Sequence, residues 1–122
     1  MSLKFRRLDA WNEAHKLVMG IYKSTRNFPS EEKFGLTSQI RRAAVSISSN
    51  IVEGCERRTT KDFLQFLYIS RASLSEVRYH LLLAKDLVYL PEKDYDSLDA
   101  QADRVGKILH GLMGSLEMKL QK

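Results

Sequence analysis

The sequence predicts an all-α fold, an antiparallel four-helix bundle with up-down-up-down topology. Apolar residues recur at steps of three and four in four successive segments, which is the period of one helix face. Both prolines, Pro29 and Pro91, fall between these segments, where helices should stop. Short connections between amphipathic helices favour antiparallel neighbours. We therefore expect a single domain over residues 1–122.

The first two helices are predicted from Asp9 to about Thr25 and from Leu36 to about Glu56. Asp9 is a residue type that caps helices, and Pro29 disfavours helix at the residue before it. Ser30, with Glu31 and Glu32, is expected to start a short turn or helix. The apolar face of the first helix is Trp11, Ala14, Val18 and Ile21, with Leu17 beside it, and the stripe of the second is Leu36, Ile40, Ala43, Ile47, Ile51 and Gly54.

The third helix is predicted from a cap at Thr60 to about Val88. Its apolar stripe is Phe63, Leu67, Leu74, Val77, Leu81, Ala84 and Val88, with Ser70 in the one gap. A second apolar set, Phe66, Ile69, Leu83 and Leu87, widens this face, as is typical of a central helix or a subunit interface. Pro91 opens the fourth helix at its first turn, with the stripe Leu98, Ala102, Val105, Leu109, Leu112 and Leu116.

The composition favours a soluble, cytoplasmic protein. The chain has one cysteine, Cys55, which excludes an internal disulfide and suits a reducing compartment. No apolar run reaches the roughly 18–20 residues of a membrane span. The N-terminus carries basic residues without a following apolar segment, which is not the pattern of a signal peptide.

The residues that could support catalysis or metal binding do not form a recognisable motif. His15, His80 and His110 lack a glutamate three positions earlier, so the Glu-x-x-His pattern of di-iron bundles is absent. Cys55 has no histidine near it in sequence and is expected to be a small, half-buried hydrophobe. The serines of the second helix have no Gly-x-Ser-x-Gly turn and no recognisable base. We therefore expect that the protein is not an enzyme and binds neither a metal ion nor a cofactor.

A polar stripe lies beside the apolar stripe of the second helix. It includes Ser46, Asn50 and Glu53, and we expect Glu53 to pair with Arg71 or Arg57. Other candidate partners on the third helix are Ser73 and Tyr79. A buried amide must be satisfied by hydrogen bonds, so the stripe is interpreted as a structural network that fixes helix register or subunit contact. The alternative is a ligand site.

The positive charge is concentrated in the first half of the chain. Residues 1–61 hold 12 basic and 6 acidic groups, a net +6, whereas residues 62–122 hold 8 and 9. This asymmetry suggests a polyanionic partner such as nucleic acid, complementary contacts between subunits, or only a soluble basic surface. The candidate nucleic-acid-binding residues are Lys4, Arg6, Arg7, Arg41, Arg42, Arg57, Arg58 and Lys61. No nucleic-acid module signature is present, so binding would be mainly to the backbone.

The segment FGLTSQIRRAAVSISSNIVEG, followed by FLYISRASLSEVRYHLLLAKDL, is specific enough to indicate a family. Gln39, Arg42-Ala43, Ser46-Ile47, Asn50-Ile51 and Glu53-Gly54 stand at characteristic spacings. The chain resembles the four-helix-bundle proteins encoded in intervening sequences of bacterial 23S ribosomal RNA genes, also called S23 ribosomal proteins. The resemblance covers nearly the whole chain.

The resemblance implies a bacterial, non-catalytic homopentamer of antiparallel four-helix bundles, with RNA or DNA as suspected ligands. It also implies an alternative, because a related branch serves as an accessory subunit of a retroelement reverse transcriptase. A third possibility is an oligomeric scaffold with no nucleic-acid role. No catalytic residue is carried over, and no membrane partner is expected.

Overall fold

The computed structural model describes residues 3–121. It contains four α-helices: α1 (Asp9–Thr25), α2 (Leu36–Cys55), α3 (Thr60–Asp86) and α4 (Glu92–Leu120). Two short 3₁₀ helices, Lys4–Arg7 and Ser30–Glu32, precede α1 and α2. No strand occurs between residues 3 and 121, which confirms the all-α prediction. Nor is any helix in this range long and apolar enough to cross a membrane.

The four helices pack as a square bundle. Each contacts two neighbours, in the order α1, α2, α3, α4 and back to α1. Across residues 3–121 the diagonal pairs, α1 with α3 and α2 with α4, have no Cα atoms within 8 Å. Tyr68, early in α3, donates to Glu117, late in α4, at 3.2 Å, and the Lys85 ammonium near the end of α3 lies 4.4 Å from the ring centre of Tyr95 at the start of α4. Such contacts are those of antiparallel neighbours.

The core is built from the apolar stripes of all four helices. Every residue of the α2 stripe is buried, as predicted. Ser70 occupies the polar gap in the α3 stripe and is fully buried, and its hydroxyl donates to the backbone carbonyl of Ile47 at 2.8 Å. This bond satisfies the hydroxyl inside the core and joins α3 to α2.

Two stripes differ from the prediction at one position each. In α3, Leu64 is buried while Phe63 is only half-buried, and in α4, Met113 is buried while Leu112 is half-buried. Phe63 and Leu112 still pack against the core from its edge, and the next predicted residues, Leu67 and Leu116, are buried, so the register is kept. Ile69 and Leu87, predicted to widen the α3 face, are 48% and 45% exposed.

The prediction for Val88 is wrong. The α3 helix ends at Asp86, and Val88 is 88% exposed in a left-handed conformation with φ 62°. The amides of Tyr89 and Leu90 then both donate to the carbonyl of Ala84, which closes the helix end. The last residue of the predicted α3 stripe therefore lies in a turn.

The caps also differ from the prediction. Thr59, not Thr60, caps α3: its hydroxyl accepts from the Asp62 amide at 3.1 Å, because its extended backbone lets the side chain turn back onto the helix. Asp9 is the first residue of α1 and makes no capping bond, although its charge suits the helix start. Pro91 immediately precedes α4, which begins at Glu92.

Candidate nucleic-acid interface

The eight basic residues singled out by the sequence do not form one patch. Lys4, Arg6, Arg7, Arg57, Arg58 and Lys61 lie at the end of the bundle where α2 leads into α3, and this set is the hinge cluster. Arg41 and Arg42 lie near the start of α2, about 20 Å at 1.5 Å per residue from Cys55, where α2 ends two residues before Arg57. There they join Arg26 and Lys33, and these four residues are the groove cluster.

The hinge cluster is assembled by the N-terminal 3₁₀ helix, Lys4–Arg7, which packs against both α1 and α2. The Asn12 side-chain amide donates to the carbonyls of Arg6 (3.0 Å) and Leu8 (2.9 Å), which fixes this segment on α1. Phe5 packs edge-on against Trp11 with ring centres 4.7 Å apart. All six basic side chains of the cluster are exposed, so the anchoring groups point inward and the charges outward.

Cys55 ends α2 beside this cluster. Burial raises the pKa of its thiol, the Glu56 carboxylate raises it further, and the positive charge of Lys4 works in the opposite direction. Its Sγ donates to the Val52 carbonyl at 3.2 Å. The raised pKa keeps the thiol protonated, which does not favour a nucleophile.

The groove cluster lies along the connection between α1 and α2. A shallow groove of about 340 Å³ is lined by Tyr22, Lys33, Phe34, Thr37, Ser38, Arg41 and Arg42. A second groove, of about 260 Å³, adjoins it, shares Lys33, Thr37 and Arg41, and adds Arg26 with Phe28 and Pro29. Nε of Arg41 donates to the Thr25 hydroxyl at 2.8 Å, and its guanidinium lies 4.7 Å from the ring centre of Tyr22. Arg41 is thus held in place before any ligand arrives.

Glu32 fixes the connection itself. One carboxylate oxygen accepts from the Leu36 amide at 3.1 Å, at the start of α2, and the other accepts from the Tyr89 hydroxyl at 3.0 Å. That carboxylate raises the pKa of Tyr89. A β-carbon at Gly35 would lie 2.7 Å from the nearer carboxylate oxygen, so glycine makes room for this bond. Glu32 therefore ties the α1–α2 connection to the α3–α4 turn.

The eight candidate residues are weakly neutralised compared with Arg78 on α3. Within residues 3–121, only Arg57 of the eight candidates has a carboxylate within 4.0 Å, that of Glu53 at 3.2 Å. On α3, by contrast, Arg78 donates to both oxygens of Asp99 at 2.9 and 3.1 Å and also lies 3.5 Å from Asp103. These contacts raise the pKa of Arg78, with the Asp99 hydrogen bond as the largest cause.

The polar stripe of α2 forms a smaller network than predicted. Ser46 and Ser73 share a hydrogen bond of 2.8 Å between α2 and α3, and the Asn50 amide donates to the Ser46 hydroxyl at 3.1 Å and to its carbonyl at 2.8 Å. Glu53 is exposed and pairs with Arg57. Arg71 is not in the network: its guanidinium lies 5.4 Å from the ring centre of Tyr68.

The histidines are dispersed. His15 is exposed and stacks on Trp11 at 4.8 Å, and His110 is exposed on α4. His80 is 6% exposed, its Nδ1 has no hydrogen-bond partner, and burial lowers its pKa, although Glu76 acts in the opposite direction. Over residues 3–121, no three His, Cys, Asp or Glu side chains come close enough to hold a metal ion.

The family model of the 23S rRNA-intervening sequence protein matches residues 6–111. The chain belongs to this family. A solved structure from Bacteroides thetaiotaomicron VPI-5482, a protein with unknown function from the S23 ribosomal protein family, is 24% identical. It superposes with a TM-score of 0.80 over 86% of this chain and 95% of the other, which supports the fold. No curated protein matches.

Sequence reasoning missed the groove cluster as a unit. Arg26 and Lys33 were not among the candidates, and neither was Phe34, which is 89% exposed. A signal was available, because Phe34 stands between Lys33 and the α2 helix that carries Arg41 and Arg42. Without the fold of the α1–α2 connection, however, nothing places Arg26 beside them.

Proposed function

We propose that this protein is a non-catalytic, self-associating bundle, pentameric as the family resemblance implies, that binds RNA or other nucleic acid through its basic surface. The observation that carries the proposal is the unneutralised positive charge of the eight candidate residues. Seven of the eight candidate residues have no carboxylate within 4.0 Å among residues 3–121. Exposed cations that lack protein partners are available to phosphate groups.

The spacing of the two clusters suits a long ligand. About 20 Å of helix separates Arg42 from Cys55, which stands two residues before Arg57. This length is several nucleotide steps of an extended strand or about six base pairs of a duplex. A polyanion could contact both clusters at once, and the paired sites would bind more tightly than either alone. Binding of this kind depends on the phosphates and falls steeply with added salt.

Exposed apolar side chains on α3 support self-association. Ile69, Ala72 and Tyr79 fall on one helix face at i, i+3 and i+10, with the exposed carboxylate of Glu76 between them at i+7, and Ile69 and Tyr79 are 48% and 60% exposed. Leu82, one turn beyond Tyr79, is 39% exposed. Burying such side chains against a second copy removes apolar surface from water. Repeated copies would also repeat the basic clusters.

A mobility-shift series with ribosomal RNA fragments tests the nucleic-acid proposal. The wild-type protein should retard the RNA at low salt, and the binding constant should fall steeply as salt rises. Replacing Arg6, Arg7, Arg41 and Arg42 with Gln should abolish the shift while helicity, measured by circular dichroism, stays unchanged. No shift at low salt, or full affinity in the four-site variant, would contradict the proposal.

Self-association has its own test. Native mass spectrometry of the wild type should give a pentamer, and Ile69→Asp should release smaller species because it replaces an exposed apolar side chain of this face with a charge. If the wild type is monomeric, the self-association part fails. If the protein assembles but binds no nucleic acid, the result supports the oligomeric scaffold. Capture of a reverse transcriptase by the RNA-free protein would support the role of accessory subunit.

A further inference from the structure

The two basic clusters differ in the aromatic side chains they offer to a ligand. At the hinge cluster, Phe5 and Trp11 pack against each other, and Phe66 lies under the Arg57 guanidinium at 4.5 Å. All three are only partly exposed. At the groove cluster, Phe34 is 89% exposed and lines the same groove as Arg41 and Arg42. The two clusters therefore have different binding chemistry.

Phe34 has no packing role that accounts for its place. It stands between the second 3₁₀ helix and α2, and the nearest cation, the Lys33 ammonium, lies 5.5 Å from its ring centre. Leaving a phenyl ring in water forgoes the stabilisation that its burial would give. In the same groove, Tyr22 of α1 presents a second, 38% exposed ring beneath Arg41. The groove thus combines an exposed aromatic ring, that of Phe34, with one cation held in place, that of Arg41.

The charge around the groove favours an anion. Residues 22–42 hold five basic side chains (Lys23, Arg26, Lys33, Arg41 and Arg42) and two acidic ones (Glu31 and Glu32), a net +3. The Glu32 carboxylate is bonded to the Leu36 amide and the Tyr89 hydroxyl, so it is already engaged. Glu31 is exposed and has no basic group within 4.0 Å in residues 3–121. The excess of cations outweighs it.

We propose that this groove binds single-stranded nucleic acid, with an unpaired base stacked on Phe34 and the flanking phosphates held by Lys33, Arg41 and Arg42. A basic groove with exposed aromatic side chains is the arrangement that binds unpaired strands with little sequence preference. A base inside a duplex has both faces covered by its neighbours and cannot stack on a side chain. The proposal rests on the proposed function and adds the strandedness of the ligand.

The experiment compares two labelled RNAs by fluorescence anisotropy with the full-length protein. One is a fluorescein-labelled unstructured strand of about 12 nucleotides, which is within the size range of single-strand sites, and the other is a duplex of the same length. The wild type should prefer the single strand. Phe34→Leu keeps an apolar side chain but removes the ring, and it should weaken single-strand binding by about fivefold or more while duplex binding stays the same.

Two further variants serve as controls. Phe34→Tyr keeps the ring and should restore single-strand binding to near the wild-type value. Met118→Ala removes an exposed apolar side chain of α4, 66% exposed and outside the groove, and should leave both affinities unchanged. Size-exclusion chromatography of each variant should show the wild-type elution volume. A shift in the Phe34→Leu protein would assign Phe34 to a contact between copies and overturn the proposal.

The outcomes separate this inference from the function on which it rests. Equal binding of single strand and duplex by the wild type, with no effect of Phe34→Leu, overturns the stacking site but leaves nucleic-acid binding intact. Binding of neither RNA at low salt contradicts the proposed function itself. Equal loss of both affinities in Phe34→Leu also overturns the inference, because a stacking platform affects only unpaired bases.

Discussion

The two ends of this bundle carry similar charge but are built differently. At the hinge, α2 and α3 approach so closely that a β-carbon at Gly54 would lie 2.8 Å from the Phe63 ring, and the aromatic residues there are used for packing. At the groove, the α1–α2 connection leaves Phe34 exposed and holds itself together through one carboxylate, that of Glu32. The comparison teaches that net charge alone does not define a binding site.

The difference follows from how each connection is made. The hinge joins α2 to α3 through Glu56–Thr59, so the two helices must cross close to it. The α1–α2 connection is ten residues long and contains its own 3₁₀ helix. A longer connection moves side chains away from the core, and this leaves them free to contact a ligand.

Neutralising one cluster at a time should have the largest effect. Arg6, Arg7, Arg58 and Lys61 changed to Gln should lower duplex and single-strand affinity alike, because these residues only contact phosphates. Arg26, Lys33 and Arg42 changed to Gln should lower single-strand affinity more. In each case the slope of log K against log salt should fall by about 0.7–0.9 for every lost phosphate contact, measured by anisotropy. If the two variants lose single-strand and duplex affinity in the same proportion, the two clusters do not differ in binding chemistry.

Gly54→Ala tests the close packing at the hinge. The added β-carbon would lie 2.8 Å from Cδ1 of Phe63 and 3.0 Å from Cβ of Phe66, so the helices must move apart. We expect a loss of about 1 kcal/mol or more in the free energy of unfolding, measured by urea denaturation. The control is Gly111→Ala, which has nothing within 4 Å and should gain up to about 1 kcal/mol from helix propensity. Equal effects would mean that the hinge is not tightly packed.

Val88→Gly tests backbone strain at the groove end of the bundle. Val88 has φ 62° and is 88% exposed, so glycine relieves the left-handed strain and gives up little packing. We expect a gain of about 1 kcal/mol, read from the thermal midpoint. Leu87→Gly, at a position with φ −81°, should instead lose about 0.5–1 kcal/mol. A destabilised Val88→Gly protein would contradict the strain at this turn.

The smallest of the expected effects is a pH dependence of the unfolding free energy that arises from His80. Burial lowers its pKa in the folded state, so the unfolded chain binds the proton more readily. Stability is therefore full above the unfolded pKa of about 6.5 and declines as pH falls towards the lower folded pKa. The urea midpoint between about pH 7 and pH 5 should fall less in His80→Leu than in the wild type. His110→Gln, on an exposed position, should leave the decline unchanged.

The periodicity of α2 was sufficient to predict its structure. Leu36, Ile40, Ala43, Ile47, Ile51 and Gly54 are all buried, because a helix of 20 residues keeps one face towards the core when the apolar steps average near 3.6. The longer helices were predicted less well. In α3 and α4 the predicted stripe is buried except at its edge, where Leu64 and Met113 are buried and Phe63 and Leu112 only half-buried, because the spacing alone does not give the width of the covered face.

The pairing partners of the polar residues on α2 could be predicted only in part. The stripe of Ser46 and Asn50 was recognisable from spacing, and Ser73 was among its candidate partners. The α3 residue that lies opposite Ser46 or Asn50 depends on how far α3 is shifted along α2. That shift depends on the close approach of the helices at Gly54 and on the hydrogen bond from Ser70 to Ile47. Arg71 consequently faces Tyr68 and not Glu53.

By itself, the sequence determined that this protein is a helical bundle, which stripe of α2 is buried and that the first half of the chain carries the positive charge. These properties are local, because they depend on the order of apolar and charged residues along each helix. Only the tertiary structure decided that the charge divides into two clusters and that Phe34 faces water beside Arg41 and Arg42. Residues distant in sequence, such as Arg26 and Arg41, come together through the fold of a connection, and no periodic pattern encodes that.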